Sequence, residues 1–103
     1  MDAAPGKPAD PAAALVRSVT IVNQRGLHAR AAAKFVQVVA RFPDTRIQVS
    51  KDGQTVNGES IMGLMMLAGT QGSSIEIAVS GPRAEAAMAA LTELVEAKFG
   101  EGE

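Results

Sequence analysis

Hydrophobic and polar residues alternate in four short stretches of the chain, and this pattern predicts four β-strands. The strands are expected at residues 16–22, 46–50, 54–56 and 74–80. In the first strand, Val19 and Ile21 are expected to face the core. Between the second and third strands, Asp52-Gly53 is a dipeptide typical of a tight hairpin turn.

Apolar residues spaced three or four apart predict three helices between and after these strands. The first helix is expected at residues 29–42 and should end before Pro43, because proline lacks an N–H and disfavours helical geometry in the residue before it. The second helix is short, very apolar and opens at Ser60. The third is expected to have Pro82 as its first helical residue and to end at Gly100.

The predicted element order is therefore β-α-β-β-α-β-α. It indicates an α+β fold in which a four-stranded, mainly antiparallel sheet is covered on one face by three helices and solvated on the other. Residues 1–14 are rich in proline and alanine and are expected to form a disordered tail. The folded domain is expected at residues 15–100, with a C-terminal tail at residues 101–103.

Composition excludes several classes of function. The 103 residues carry a net charge of −1, so the surface has no overall field that would attract nucleic acid or an anionic membrane. With no cysteine and a single histidine, the chain lacks the ligands of a zinc site. The first residues lack the charged-then-apolar order of a signal peptide, and no apolar run approaches the ~20 residues that span a bilayer. We therefore expect a soluble cytoplasmic protein with no metal, no cofactor, and no nucleic-acid or membrane partner.

The single histidine, His28, lies where the first strand gives way to the first helix. The free N–H groups and the dipole at a helix start favour an anion such as phosphate, and the guanidinium of Arg30 would add donors suited to phosphate oxygens. Because a neutral imidazole is a nucleophile near neutral pH, His28 is a candidate phosphoryl acceptor. Its position is equally compatible with a plain helix cap. No carboxylate lies within a few residues of it as a partner for general-base chemistry.

Two segments resemble the signatures of one protein family. Residues 26–32 (GLHARAA) resemble the active-site signature of HPr, the phosphocarrier of the phosphoenolpyruvate-dependent phosphotransferase system of bacteria. Residues 57–67 (NGESIMGLMML) resemble the regulatory-serine segment of the same family. The predicted element order agrees with the family's open-faced β-sandwich, and the resemblance covers residues 15–99.

The resemblance implies a phosphotransfer intermediate and not an independent enzyme. His28 would accept a phosphoryl group at Nδ1 from phosphorylated Enzyme I and pass it to an enzyme IIA-type acceptor, while Arg30 would hold the phosphoryl group. Ser60 would be the site that an HPr kinase/phosphorylase modifies. Four residues of the first two helices would dock partners: Ala29, Ile61, Met62 and Met65. A monomer suits a carrier that presents the same face to successive partners.

Two positions depart from the pattern that is common in the family. Ala31 stands where proline is common, and both residues suit a first helical turn. Glu59 stands where lysine often precedes the serine, and Lys34 is the only lysine of the first helix. This less basic docking face leaves two branches open, sugar transport and a nitrogen-related or purely regulatory system.

Simpler interpretations stand beside these. Ser60 is a favoured N-cap residue, and its hydroxyl alone would satisfy a backbone N–H at the helix start. Leu64 and Leu67 are expected in the core, whereas the other apolar residues of the second helix would either join them or remain exposed to partners. For the whole chain, the alternative is an ACT-like module that binds a small molecule, since similar element orders build such domains. That module would be indifferent to His28→Ala.

Overall fold

The computed structural model describes residues 14–101. The predicted N-terminal tail therefore lies outside the described residues except for its last position, as do residues 102 and 103. In chain order the elements are β1 (Leu15–Thr20), α1 (Ala29–Val39), β2 (Arg46–Lys51), β3 (Gln54–Asn57), α2 (Ile61–Met66), β4 (Ser74–Ser80) and α3 (Ala84–Glu96). A C-terminal turn (Lys98–Gly100) follows α3. The predicted element order is confirmed.

The four strands form one antiparallel sheet in the order β1-β4-β2-β3. Between β2 and β3, Asp52 and Gly53 have φ angles of 53° and 83°. Positive φ at both central residues defines the kind of tight turn that matches the twist of a two-stranded hairpin. The hairpin prediction at this dipeptide is therefore confirmed. In the strand order of the sheet, β1 and β3 are the two edge strands.

One face of the sheet carries the core, which the three helices cover. Val19 and Ile21 are buried there, as predicted, together with apolar residues of β2 and β4. All three phenylalanines pack into this core: Phe35, Phe42 and Phe99. On the opposite face, polar residues such as Thr20 and Glu76 are exposed. The sheet therefore has one solvated face, and every helix lies on the other side.

The ends of α1 and β1 differ from the predicted ends. α1 stops at Val39 and not at Phe42, because the N–H groups of Arg41 and Phe42 donate to carbonyls only three residues earlier, at 3.0 and 2.9 Å. These short turns close the helix before Pro43 is reached. β1 ends at Thr20, although Ile21 still donates its N–H to Ser73 O at 2.8 Å.

The prediction that Pro82 is the first residue of α3 is wrong. The N–H of Ala84 donates to Gly81 O at 3.2 Å, so residues 81–84 form a turn and the helix begins only at Ala84. α3 also ends before Gly100, at Glu96. Lys98 and Phe99 then adopt left-handed φ angles of 60° and 54°, and Phe99 is fully buried. The chain thus reverses around this ring and returns towards α1.

Within residues 14–101, none of the helices combines the length and the hydropathy that crossing a bilayer requires.

Candidate functional site

His28 is the N-cap of α1. Its backbone is extended (φ −76°, ψ 177°), and its carbonyl accepts the first helical hydrogen bond, from the N–H of Ala32 at 2.9 Å. Its ring Nδ1 accepts the backbone N–H of Arg30 at 3.3 Å. Capping in this way satisfies one of the N–H groups that a helix start leaves without an intrahelical partner. The predicted capping geometry is therefore observed, and it directs Nδ1 at the positive end of the helix dipole.

The loop that precedes His28 is fastened to the loop that follows α2. The N–H of Leu27 donates to Gly69 O at 2.8 Å. At Gly26, with φ of 66°, a Cβ atom would overlap that same carbonyl oxygen. Only glycine allows the two backbones to approach this closely. The position of the imidazole therefore depends on contacts on both sides of α1.

A carboxylate that is distant in sequence contacts the imidazole. Oε2 of Glu101, 73 residues after His28, forms a hydrogen bond with Nε2 of the ring. Oε1 of the same carboxylate accepts a hydrogen bond from Nδ2 of Asn23 at 3.1 Å. Asn23 is fully buried, and its Nδ2 also donates to Gly26 O at 2.9 Å. The structure thus assembles a site of His28, Glu101 and Asn23.

Sequence reasoning missed both Glu101 and Asn23. Glu101 lies in the predicted C-terminal tail, and local spacing gives no sign that this residue returns to the histidine. The return depends on the two left-handed residues of the C-terminal turn, neither of which is a glycine or an asparagine. The sequence offers one sign of this site, which is that the single histidine and an asparagine, Asn23, lie in the same short loop.

The two basic residues of α1 have different surroundings. Arg30 is exposed, and among the described residues its guanidinium forms no hydrogen bond or ion pair. Lys34 is half-buried, and its Nζ donates to Phe99 O at 2.7 Å. Lys34 therefore ties α1 to the C-terminal turn, whereas no contact of this kind holds the guanidinium of Arg30 among residues 14–101.

Ser60 is the N-cap of α2. Its Oγ accepts the N–H of Gly63 at 2.9 Å, and its carbonyl accepts the N–H of Leu64 at 3.0 Å. The preceding Glu59 is exposed and donates its N–H to Oδ1 of Asn57 at 2.8 Å. The hydroxyl thus has the structural role that the simpler interpretation predicts.

The outer side of α2 is an exposed apolar patch. Leu64 and Leu67 are buried, as predicted. The patch consists of four residues, with their exposed fractions in brackets: Ile61 (41%), Met62 (71%), Met65 (42%) and Met66 (64%). Met66 was not among the predicted docking residues. Because α2 packs against α1 on the same face of the sheet, the patch and His28 belong to one side of the molecule.

Comparisons with known proteins agree with this geometry. The family model described as PTS HPr component phosphorylation site matches residues 15–97. The phosphocarrier protein HPr of Neisseria meningitidis is 48% identical over 89 residues, which cover 86% of this chain and 99% of the relative. Two crystal structures from Thermoanaerobacter tengcongensis are also similar. HPr-C-His has a TM-score of 0.81 and 43% identity, covering 86% of this chain and 99% of its own. The structure of an HPr dimer has a TM-score of 0.67 and 46% identity, and the match covers 81% of this chain and 94% of that chain.

The fold is an open-faced β-sandwich with a histidine at the start of its first helix, and the solved HPr structures share this fold. This chain belongs to the HPr family of phosphocarrier proteins of the phosphotransferase system. The matches favour this interpretation over an ACT-like module.

Proposed function

We propose that the protein accepts a phosphoryl group on His28 from phosphorylated Enzyme I and passes it to an enzyme IIA-type acceptor. The observation that supports this most directly is the position of Nδ1 at the start of α1. A phosphoryl group on that nitrogen would lie beside free N–H groups and the positive end of the dipole, both of which favour a negative group. The exposed Arg30 would supply charge-assisted hydrogen bonds to the phosphoryl oxygens.

The exposed patch on α2, together with Ala29, is the proposed docking surface. Ala29 is exposed in the first turn of α1, beside His28. Methionine side chains adapt to differently shaped partners, which suits a carrier that meets a donor and then an acceptor. We expect the carrier to act as a monomer in the cytoplasm. Because one relative forms a dimer in its crystal structure, measuring the mass of this protein in solution tests whether it is a monomer.

The branch of the system would follow from the charge on the docking side. Lys34 is engaged with Phe99 O, and Glu59 adds a negative charge before Ser60. Glu59 lowers the net positive charge that this side presents to partners, and two kinds of acceptor stay open, a sugar-transporting one and a nitrogen-related or purely regulatory one. Transfer rates to one enzyme IIA of each kind would decide between them.

Phosphorylation of Ser60 by an HPr kinase/phosphorylase is the proposed regulation. A phosphate there would lie at the start of α2, beside the exposed Ile61 and Met62. Negative charge is tolerated at a helix N-terminus, so the modification would disturb the fold little. Its effect would fall on partners, through repulsion and steric obstruction at the patch.

The test of the carrier function is intact mass after incubation with phosphoenolpyruvate and Enzyme I. We expect a gain of one phosphoryl group that mild acid removes and that His28→Ala prevents while the far-UV circular dichroism stays unchanged. Arg30→Ala should slow the gain, whereas Arg25→Ala, which changes an exposed arginine of the preceding loop, should not. No gain with an Enzyme I that phosphorylates another HPr would contradict the proposal.

A further inference from the structure

We propose that Glu101 is a positioning residue for His28. Its carboxylate keeps the ring proton on Nε2 and sets the orientation of the ring. Nδ1 is then unprotonated, and its lone pair can bond to the phosphoryl group when the hydrogen bond from the Arg30 N–H is given up. The effect of Glu101 on phosphoryl transfer rests on the proposed function, whereas its effect on the ring of His28 concerns the unphosphorylated protein alone.

The hydrogen bonds of the ring assign its tautomer. Nδ1 accepts the N–H of Arg30, so it carries no proton in this arrangement. The neutral imidazole has one ring proton, which must then be on Nε2. The group that contacts Nε2 is the carboxylate of Glu101, which is an acceptor when ionised. The contact is therefore an Nε2–H donating to Oε2. In a hydrolase triad a carboxylate orients the histidine in a similar way, but through the other ring nitrogen, Nδ1–H.

The carboxylate is itself held from two directions. Asn23 uses both protons of its buried Nδ2, one for Gly26 O and one for Oε1 of Glu101. On the backbone side, the N–H of Glu101 donates to Lys98 O at 2.9 Å. The side chains of His28 and Glu101 are only 18% and 10% exposed, so little water competes for their contact. This degree of support is what a positioning group needs to keep its partner in one orientation.

The same contact would act in both directions of transfer. On acceptance, the lone pair of Nδ1 forms a bond to phosphorus, while the bond from phosphorus to the donor's leaving group breaks and that group keeps the electron pair. Because Nε2 retains its proton, the phosphorylated ring of His28 carries a positive charge, which the carboxylate of Glu101 offsets. On donation, the N–P bond breaks, its electron pair returns to Nδ1, and the neutral ring is restored.

The variant that separates these effects is Glu101→Gln, with Glu96→Gln as its matched control. The glutamine side chain has the same size but a single carbonyl oxygen, so it cannot accept from both Nε2 and Asn23 in the original geometry. Glu96 is exposed at the end of α3, and its substitution changes the net charge of the protein equally.

The first measurement is the ring NMR spectrum of the unphosphorylated protein, which has one histidine and therefore one set of ring signals. We expect a slowly exchanging Nε2–H signal in the wild type and in Glu96→Gln, and its loss in Glu101→Ala, which removes every side-chain acceptor at this position. The second measurement is the rate of phosphoryl acceptance from Enzyme I, which should fall about tenfold or more in Glu101→Gln alone.

The outcomes distinguish the two proposals. An Nε2–H signal that persists in Glu101→Ala, or an unchanged rate in Glu101→Gln, would overturn the positioning role. If the wild type accepts no phosphoryl group, the carrier proposal fails. The positioning role is then decided by the NMR signal alone.

Discussion

At the scale of single residues, Asn23 links the loop before α1 to the carboxylate of the site. Asn23→Ala would leave Gly26 O and one carboxylate oxygen of Glu101 without this donor. It would also remove the buried Oδ1, which lacks a hydrogen-bond partner among the described residues. We expect the free energy of unfolding to fall by about 2 kcal/mol, because an unsatisfied buried acceptor costs roughly 1–3 kcal/mol. Urea denaturation measures this loss.

The matched control for Asn23→Ala is Asn57→Ala. The side chain of Asn57 also bonds to backbone, at Glu59, but it is exposed, so water can replace the lost contact. Its expected cost is therefore smaller. Equal losses for the two variants would show that burial of Asn23 has no energetic role.

Gly26 offers a second prediction at this scale. In Gly26→Ala, the new methyl group would overlap Gly69 O, and the residue would also have to keep a φ of 66°. Gly53→Ala has only the second of these problems, since nothing lies within 4 Å of its Cβ position. Left-handed backbone costs a non-glycine residue roughly 1 kcal/mol, so Gly53→Ala should lose about that much and Gly26→Ala at least about twice as much. Thermal unfolding of both variants checks this, and equal losses would contradict the overlap.

Some residues of the site were predictable and others were not, for a physical reason. His28, Arg30 and Ser60 lie in short segments whose local pattern places them at helix starts, so the sequence alone locates them. Glu101 reaches the imidazole only because Lys98 and Phe99 adopt left-handed φ angles. Such angles are uncommon in residues other than glycine, asparagine and aspartate, and packing of the Phe99 ring in the core accompanies them here. No local pattern encodes that combination.

At the scale of elements, the bond from Lys34 to Phe99 O joins α1 to the C-terminal turn. Lys34→Met keeps the apolar stem and removes the donor, so we expect a loss of about 1 kcal/mol in the free energy of unfolding. The turn should also open more often. Hydrogen exchange at the amides of Gly100 and Glu101, which bond to backbone carbonyls of the same turn, should therefore accelerate. Exchange as slow as in the wild type would contradict this role.

The control for Lys34→Met is Gln37→Met. Gln37 lies in α1 but is exposed, so its replacement should leave exchange in the turn unchanged. A similar acceleration in both variants would point to a general effect of methionine on α1 and not to the lost bond.

Two substitutions distinguish the two possible roles of Ser60, because one removes its capping hydroxyl and the other adds a negative charge. Ser60→Ala removes the cap of α2 and should cost about 1 kcal/mol, whereas Ser60→Asp keeps a good capping group and should cost little. If phosphorylation regulates docking, Ser60→Asp should nevertheless slow phosphoryl acceptance from Enzyme I. Melting temperatures and transfer rates of both variants test this. A normal rate in Ser60→Asp would leave Ser60 with the capping role alone.

The elements themselves were more predictable than their ends. Alternation identifies β4 and helical spacing identifies α1, because each element presents one apolar side to the same core. Their ends depend on contacts that the pattern does not contain. α3 begins late because residues 81–84 form a turn of their own. α1 ends early because the N–H groups of Arg41 and Phe42, which follow it, bond three residues back and not four.

At the scale of the whole molecule, the sheet separates two surfaces of different character. The open face carries short polar side chains such as Thr20 and Ser74. The helical side carries His28 and the apolar patch of α2. The element order and the antiparallel sheet follow from the sequence pattern, and they suffice to predict this division. Which apolar residues of α2 stay outside the core is settled only by the packing of α2 against α1.

The division predicts that substitution by lysine will weaken binding to Enzyme I on the helical side and leave it unchanged on the open face. Met62→Lys adds a charge to the most exposed residue of the patch, and Thr20→Lys adds it to an exposed residue of the open face. Neither change touches the core, so both variants should unfold within about 0.5 kcal/mol of the wild type. If the patch docks Enzyme I, Met62→Lys must desolvate a cation in an apolar contact, and its Kd should rise about tenfold. Thr20→Lys should bind as the wild type does. Titration of Enzyme I with each variant measures this, and equal affinities would place the docking surface elsewhere on the molecule.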